Sequence, residues 1–216
     1  MPRHITIIGQ TGQLASALIR LCEAQDKAFK ALSRQDLDLS ADERQITNVL
    51  ETLEPTDVIV IAAAYTAVDA AEDDLSAAIA VNGNAPRAIA NFFKAKDISL
   101  VHVSRDYVFD GMADRPYFPE SALFPVNRYG YSKLLGEQYV QDSGAHDAIF
   151  RTSWVYDGTG SNFLTTMLRL AETRETLGVV SDQIGRPTYA RHLAKSVLNA
   201  CDVAHQTRVI LQAFII

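Results

Sequence analysis

The 216-residue sequence predicts an α/β protein built on a doubly wound parallel sheet, and three observations carry that expectation. Short, almost continuously apolar runs such as Ile5-Thr6-Ile7-Ile8 and Val58-Ile59-Val60-Ile61 read as strands buried on both faces. Segments with helical apolar spacing separate these runs. The connections are short, so strand, helix and strand alternate as in right-handed βαβ units.

Strands are expected at His4–Ile8, Phe29–Ser33, Asp57–Ala62, Ser99–Val103, Asp147–Arg151, Gly178–Val180 and Arg208–Phe214. Helices are expected at Gln13–Ala24, Asp42–Leu53, Leu75–Lys94, Ser132–Gln141, Asn162–Thr173 and Tyr189–Ala204. Ser40 and Glu43 have capping-box spacing at the start of the second helix. The long irregular stretch Asp110–Asn127 holds three of the seven prolines, and loops of that length inside compact domains are usually functional or mobile.

Composition narrows the function classes. With 48% hydrophobic and 21% charged residues, 1–216 reads as one globular domain. Twenty basic against 26 acidic residues give a net charge of −6, which implies neither a nucleic-acid surface nor a polybasic membrane anchor. No signal peptide and no apolar stretch of membrane-spanning length is evident, so a cytoplasmic location is expected. Cys22 and Cys201 cannot make a disulfide framework, and no two of the five histidines have metal-ligand spacing. Glu72-Asp73-Asp74 reads as a solvated first helical turn, so no metal site is assigned.

After the first strand comes Gly9-Gln10-Thr11-Gly12-Gln13-Leu14-Ala15, opening the first helix. Glycines there permit a tight turn and close backbone approach, while the helix N-terminus favours a pyrophosphate. Gly9 and Gly12 therefore read as a dinucleotide cradle of Rossmann type. The second strand ends Leu32-Ser33-Arg34, without the acid that usually binds the ribose hydroxyls. Arg34 can fork onto a 2′-phosphate instead, or simply face solvent.

Tyr129 and Lys133 are four residues apart, hence on one helical face. A lysine so placed can hold a nicotinamide ribose and favour tyrosinate, leaving the phenol to act as general acid or base. The fourth strand runs out through Ser104, Arg105, Asp106 and Tyr107, at the kind of strand terminus where ligands bind in this architecture. Ser104 is available either to bond a substrate carbonyl or to cap backbone.

With these residues assembled, the chain resembles the dTDP-4-dehydrorhamnose reductase family of extended short-chain dehydrogenases/reductases. The matching stretches are Gly-Gln-Thr-Gly-Gln-Leu at 9–14, Ala-Ala-Ala-Tyr-Thr-Ala-Val-Asp at 62–69 and Asp-Tyr-Val-Phe-Asp-Gly at 106–111. They continue with Tyr-Gly-Tyr-Ser-Lys-Leu-Leu-Gly-Glu at 129–137, Phe-Arg-Thr-Ser-Trp-Val-Tyr at 150–156 and Asp-Gln-Ile-Gly-Arg-Pro-Thr at 182–188. The resemblance implies reduction of the C4 ketone of dTDP-4-dehydro-6-deoxy-L-mannose to dTDP-L-rhamnose, with hydride from NADPH or NADH. It implies that Tyr129 protonates the nascent alkoxide and that Lys133 binds ribose and tunes that tyrosine. Cofactor contacts would fall on Gly12, Gln13, Leu14, Asp38, Leu39, Ala64, Tyr65 and Thr66. Substrate contacts would fall on Thr66, Asp106, Tyr107 and Trp154. A homodimer is possible; magnesium, held by some relatives at a dimer interface, is left open.

Three departures accompany the match. Arg105, counted here with the substrate-binding set, stands where relatives usually carry a catalytic threonine. Ser33 replaces the acid that favours NAD. The family also usually runs further, into a lobe that closes over the nucleotide-sugar, so 1–216 reads as a C-terminally short dinucleotide-binding domain. The alternative is a coenzyme-binding regulatory protein, or relic, without turnover. An epimerase or dehydratase with tightly held NAD would share the Tyr–Lys spacing.

Overall fold

The computed structural model describes residues 4–181, 183–207 and 211–215. Six parallel strands form one sheet in the order β2-β1-β3-β4-β5-β8. They are β1 (Ile5–Ile8), β2 (Phe29–Leu32), β3 (Val58–Ile61), β4 (Ser99–Arg105), β5 (Asp147–Thr152) and β8 (Leu211–Ile215). Every residue of β1, β3 and β5 is buried, as expected for strands covered on both faces.

Helices supply the two covers. On one face α1 (Gln13–Ala24) and α8 (Ala190–Thr207) pack over β1, β3 and β4, with Leu18, Val60, Val101 and Leu193 in one core. On the other, α2 (Glu43–Glu51) and α5 (Ala85–Ala95) join Ile59, Ile61, Leu100 and Ile89 in a second core, which Val140 of α6 (Arg128–Asp142) also enters. Reversal of strand order between β1 and β3 opens a crevice at the carboxyl ends of the strands, where this architecture binds ligands. The short helices α3 (Ala70–Asp73) and α4 (Leu75–Ile79) lie between β3 and α5. After β5 come β6 (Val155–Tyr156), α7 (Phe163–Ala171) and β7 (Thr188–Tyr189), and β6 pairs with β7 in a separate two-stranded ribbon.

Several local expectations are corrected. Gly178–Val180 is not a strand: Val179 and Val180 are exposed, no sheet edge is offered to them, and the position beside β5 is taken by β8. Of the expected strand Arg208–Phe214, residues 208–210 lie outside the described residues, and 211–214 fall within β8. The helix expected over Leu75–Lys94 is broken by a π turn at Ala80–Asn84. Pro86 has no N–H to give the Asn82 carbonyl, and the backbone widens so that the Ala85 amide bonds the Ala80 carbonyl instead.

The cap of α2 is Asp42, whose carboxylate accepts from the Gln45 amide at 2.8 Å while the Gln45 side chain accepts from the Asp42 amide at 3.2 Å. Ser40, the expected cap, spends its hydroxyl on Asp38. Helix α6 begins at Arg128 rather than Ser132, because Asn127 Oδ1 accepts from the Gly130 amide at 2.7 Å. The acidic turn 72–74 is also more than solvated surface: Glu72 accepts from the Arg128 amide at 2.8 Å and so pins the start of α6.

Candidate active site

The nucleotide end of the crevice is built from the β1–α1 turn. Gly9 has φ +125°, a backbone region open to glycine, and a Cβ there would press on the Ala62–Ala63 backbone at 3.2–3.3 Å. Gly12 is the N-cap of α1, makes no side-chain cap, and has no heavy atom within 4 Å of where its Cβ would lie. The first-turn amides of α1 therefore have no side-chain cap and lie beside open space. That is the provision a pyrophosphate needs, so the residues present fit a dinucleotide.

The other expected cofactor contacts divide. Ala64, Tyr65 and Thr66 follow β3 at the crevice. Arg34 is largely exposed beyond β2 and lies 3.6 Å from Asp38. Asp38 is held well ionised by the Ser40 hydroxyl and amide, with Arg34 adding to the effect. The side chains of Leu14 and Leu39 are spent in the two hydrophobic cores, leaving only their backbone for a ligand.

Helix α6 carries Tyr129 and Lys133, each about 1% exposed, on one face against the end of β4. Two glycines let it come so close. A Cβ on Gly130 would strike the Tyr107 carbonyl, and one on Gly136 would strike the Asn82 carbonyl in the π turn. The Tyr107 and Tyr129 rings meet edge to face at 5.4 Å. Lys133 Nζ donates to the Val103 carbonyl at 2.9 Å. Burial pulls the Lys133 ammonium down to about 8, against the opposing pull of Glu137. Burial raises the Tyr129 phenol, an effect that the Arg105 charge opposes and Asp106 reinforces.

Residues that the sequence reading passed over hold this arrangement. Asn82 is buried and joins three segments: its Oδ1 accepts from the Tyr65 amide at 3.0 Å, and its Nδ2 donates to the Tyr65 carbonyl and to Ser132 Oγ. Ser132 in turn donates to the Tyr129 carbonyl at 2.7 Å. One turn beyond Lys133, Glu137 pairs with Arg151 of β5 through bonds of 2.7–3.1 Å, both side chains buried. Arg151 also donates to the Pro119 carbonyl at 2.7 Å, tying the 110–127 loop to α6. The Asn127 cap was readable from residue type, whereas the Asn82 bracket depends on a π turn that periodicity does not reveal.

At the end of β4, Ser104 is fully buried with its hydroxyl unpartnered, while Arg105 and Asp106 are partly exposed, each with one buried polar atom unpartnered. Burial raises the Asp106 carboxyl, and the neighbouring Arg105 charge opposes it. His102, beneath Lys133, is buried and held neutral by desolvation. Trp154, after β5, adopts φ +43°, an uncommon conformation for a bulky residue. A Cβ on Gly185 would lie 2.7 Å from its indole, and the Thr188 amide donates to its carbonyl, so segment 185–188 fixes the ring. The site residues thus gather at the carboxyl edge of the sheet, with Arg34 and Asp38 at its outer corner and Trp154 beyond β5.

Among the described residues no group of three or more His, Cys, Asp or Glu side chains could hold a metal ion, and no helix is long and apolar enough to cross a membrane.

Known proteins resemble this chain along most of its length. A dTDP-4-dehydrorhamnose reductase of Burkholderia thailandensis is 44% identical over 204 residues, which span 94% of this chain and 67% of that protein. The Escherichia coli K12 protein of the same description is 41% identical over 203 residues, 93% of this chain and 68% of its own length. The crystal structure of dTDP-4-dehydrorhamnose reductase from Bacillus anthracis in complex with NADP superposes with a TM-score of 0.90 at 32% identity, covering 100% of this chain and 74% of that one. The chain thus spans about two thirds of the length of the curated relatives. Since residues 3–214 match the family described as RmlD substrate binding domain, the chain belongs to that family.

Proposed function

We propose that residues 1–216 act as one coenzyme-binding domain that reduces the C4 ketone of a dTDP-4-dehydro-6-deoxyhexose to the alcohol, with NADPH preferred. The observation that carries the reading is the buried Tyr129–Lys133 face of α6, set against the end of β4 on the same sheet edge as the Gly9–Gly12 turn. A bound reduced nicotinamide coenzyme supplies the hydride. The uncapped first turn of α1, with Gly12, Gln13 and the Leu14 backbone, would hold the pyrophosphate. Arg34 takes the 2′-phosphate on leaving Asp38, and the 64–66 loop borders the nicotinamide half. Lys133 holds a ribose hydroxyl. Tyr129 gives its phenolic proton to the oxygen that was the ketone, and solvent restores that proton. Thr66, Arg105, Asp106, Tyr107 and Trp154 surround the sugar nucleotide.

The test is the loss of reduced-coenzyme absorbance when the protein meets NADPH and the dTDP-4-keto-6-deoxy sugar. Turnover that Tyr129→Phe lowers by about 10²–10⁴-fold, the usual contribution of a positioned acid, is the expected result. Coenzyme binding with no turnover in the wild type would overturn the reading in favour of a non-catalytic binding protein.

A further inference from the structure

We propose that the groove between α1 and α8 is a ligand site of its own, for a small phosphate-bearing anion. It lies on the face of the sheet opposite to α6 and its Tyr129–Lys133 pair, and it does not depend on the reductase reading.

The groove holds a cavity of about 380 Å³, within the size range of small-molecule sites. Small side chains open it: Ala17 and Ala24, two turns apart on α1, leave space that longer residues would fill. Arg20 reaches the cavity from the same helix. From α8 come Arg191 and Lys195, four residues apart and hence on one helical face, and His192 adds its imidazole. One wall is aromatic. Tyr189 stacks on Tyr156 of β6 with ring centroids 5.5 Å apart, and meets the His192 ring edge to face at 5.2 Å.

Arg20, Arg191 and Lys195 thus line one cavity in a chain whose net charge is −6, and no acidic side chain lines it with them. The carboxylate that Arg20 does touch, Asp157, is fully engaged: its Oδ2 accepts from Arg20 at 2.5 Å and its Oδ1 from the Gly158 amide at 2.8 Å. Lys27, just beyond α1, is also committed, pairing with Asp202 of α8 at 3.0 Å. Arg191 and Lys195 are exposed and have neither an ion pair nor a hydrogen bond among the described residues. Like charges at this helical spacing repel one another, and an anion seated between them replaces that repulsion with charge-assisted hydrogen bonds. Phosphate suits the pair, because the guanidinium forks onto two of its oxygens while the ammonium meets a third as a point charge. The cavity extends past these cations to the Tyr189 ring, which leaves room for an organic group attached to the phosphate.

The experiment titrates the isotope-labelled protein with inorganic phosphate and, separately, with glucose 1-phosphate in chloride buffer, and follows the backbone amides by NMR. Residue-resolved shifts separate the groove from the Gly9–Gly12 turn, which can also hold phosphate. Saturable shifts are expected over 17–24 and 189–195. The double variant Arg191→Ala/Lys195→Ala should weaken that binding about tenfold or more and leave any response of the Gly9–Gly12 turn unchanged. Both residues are exposed, so the variant leaves the two cores intact. Glucose 1-phosphate binding about tenfold more tightly than phosphate would assign the cavity to an organic phosphate, and equal affinities would assign it to the free anion. Shifts confined to the Gly9–Gly12 turn, or groove shifts that the double variant does not weaken, overturn the proposal. So does a dimer, seen by sedimentation and dissociated by the double variant, in protein whose groove answers neither probe: the cations would then meet the acids of a second copy.

Discussion

The two sides of β5 are built on different principles. Toward the sheet, all six residues of β5 are buried, and α6 buries eight of its own side chains or glycines against β4 and the π turn. Beyond it, α7 buries none: Phe163 is 58% exposed and Leu168 60%, and Ile184, ahead of β7, is wholly exposed. Trp154, with its left-handed backbone, stands at the junction. The Tyr129–Lys133 face is thus anchored in the region that packing closes on itself. The segment from 155 to 189 is held by turns, caps and the short β6–β7 ribbon, and leaves apolar side chains such as Phe163 and Leu168 exposed. A geometry fixed by packing and a surface free to meet ligand are qualities that one segment cannot easily combine.

The comparison breaks most sharply at the Glu137–Arg151 pair. Replacing Arg151 by methionine leaves Glu137 charged, buried and unpaired, and removes the bond to Pro119. The expected cost is about 3–5 kcal/mol, measured as a fall in the chemical denaturation midpoint. The double variant Glu137→Met/Arg151→Met should recover most of it, because an apolar pair of similar volume needs no desolvation. Equal destabilisation of single and double variants would mean that the tie to the 110–127 loop, and not the buried charge, is what stabilises the closed side.

Much of this contrast could be read before the structure. Continuous apolar runs located β1 and β3, since strands covered on both faces leave that trace, and Gln13–Ala24 matches α1 end to end. The glycine turn and the Tyr129–Lys133 spacing likewise pointed to the sheet edge where the structure places them. What periodicity missed was set by close approach. The π turn that presents Asn82 exists because Pro86 interrupts a helix, and its fit to α6 depends on Gly136, which has no local signature of its own. The false strand at 178–180 had suitable apolar residues but no sheet edge to join, and strand formation is decided by partners as much as by composition.

Within the closed side, Asp147 gives a smaller and pH-dependent effect. Burial at the start of β5 raises its carboxyl from 3.8 to about 6, with one oxygen unpartnered. Between those values the folded chain keeps a proton that the unfolded chain has lost, so this residue's contribution to stability falls as pH rises through the window. Asp147→Asn removes the titration. Its stability relative to wild type should be nearly constant below about pH 4 and climb toward an upper bound of about 3 kcal/mol above about pH 6. Thermal or urea unfolding across that range checks it, and a difference independent of pH would show that Asp147 is charged in the fold at a cost met elsewhere.

The smallest effect is expected on the open side, where it matters most to the comparison. Leu168 in the middle of α7 is mostly exposed, so Leu168→Gln should change stability by no more than about 0.5 kcal/mol. Ile59→Ala in β3, by contrast, should cost about 2–5 kcal/mol. What holds α7 is its cap: Asn162 Oδ1 accepts from the Thr165 amide at 3.0 Å, and Thr165 Oγ1 accepts from the Asn162 amide at 3.1 Å. Asn162→Ala should therefore unsettle α7 by about 1 kcal/mol, more than Leu168→Gln does, reversing the usual ranking of a central leucine over a terminal asparagine. Amide exchange within 163–171 separates the two variants. Were Leu168→Gln the more damaging, α7 would be packed against something in solution, and the open side would be as closed as the sheet.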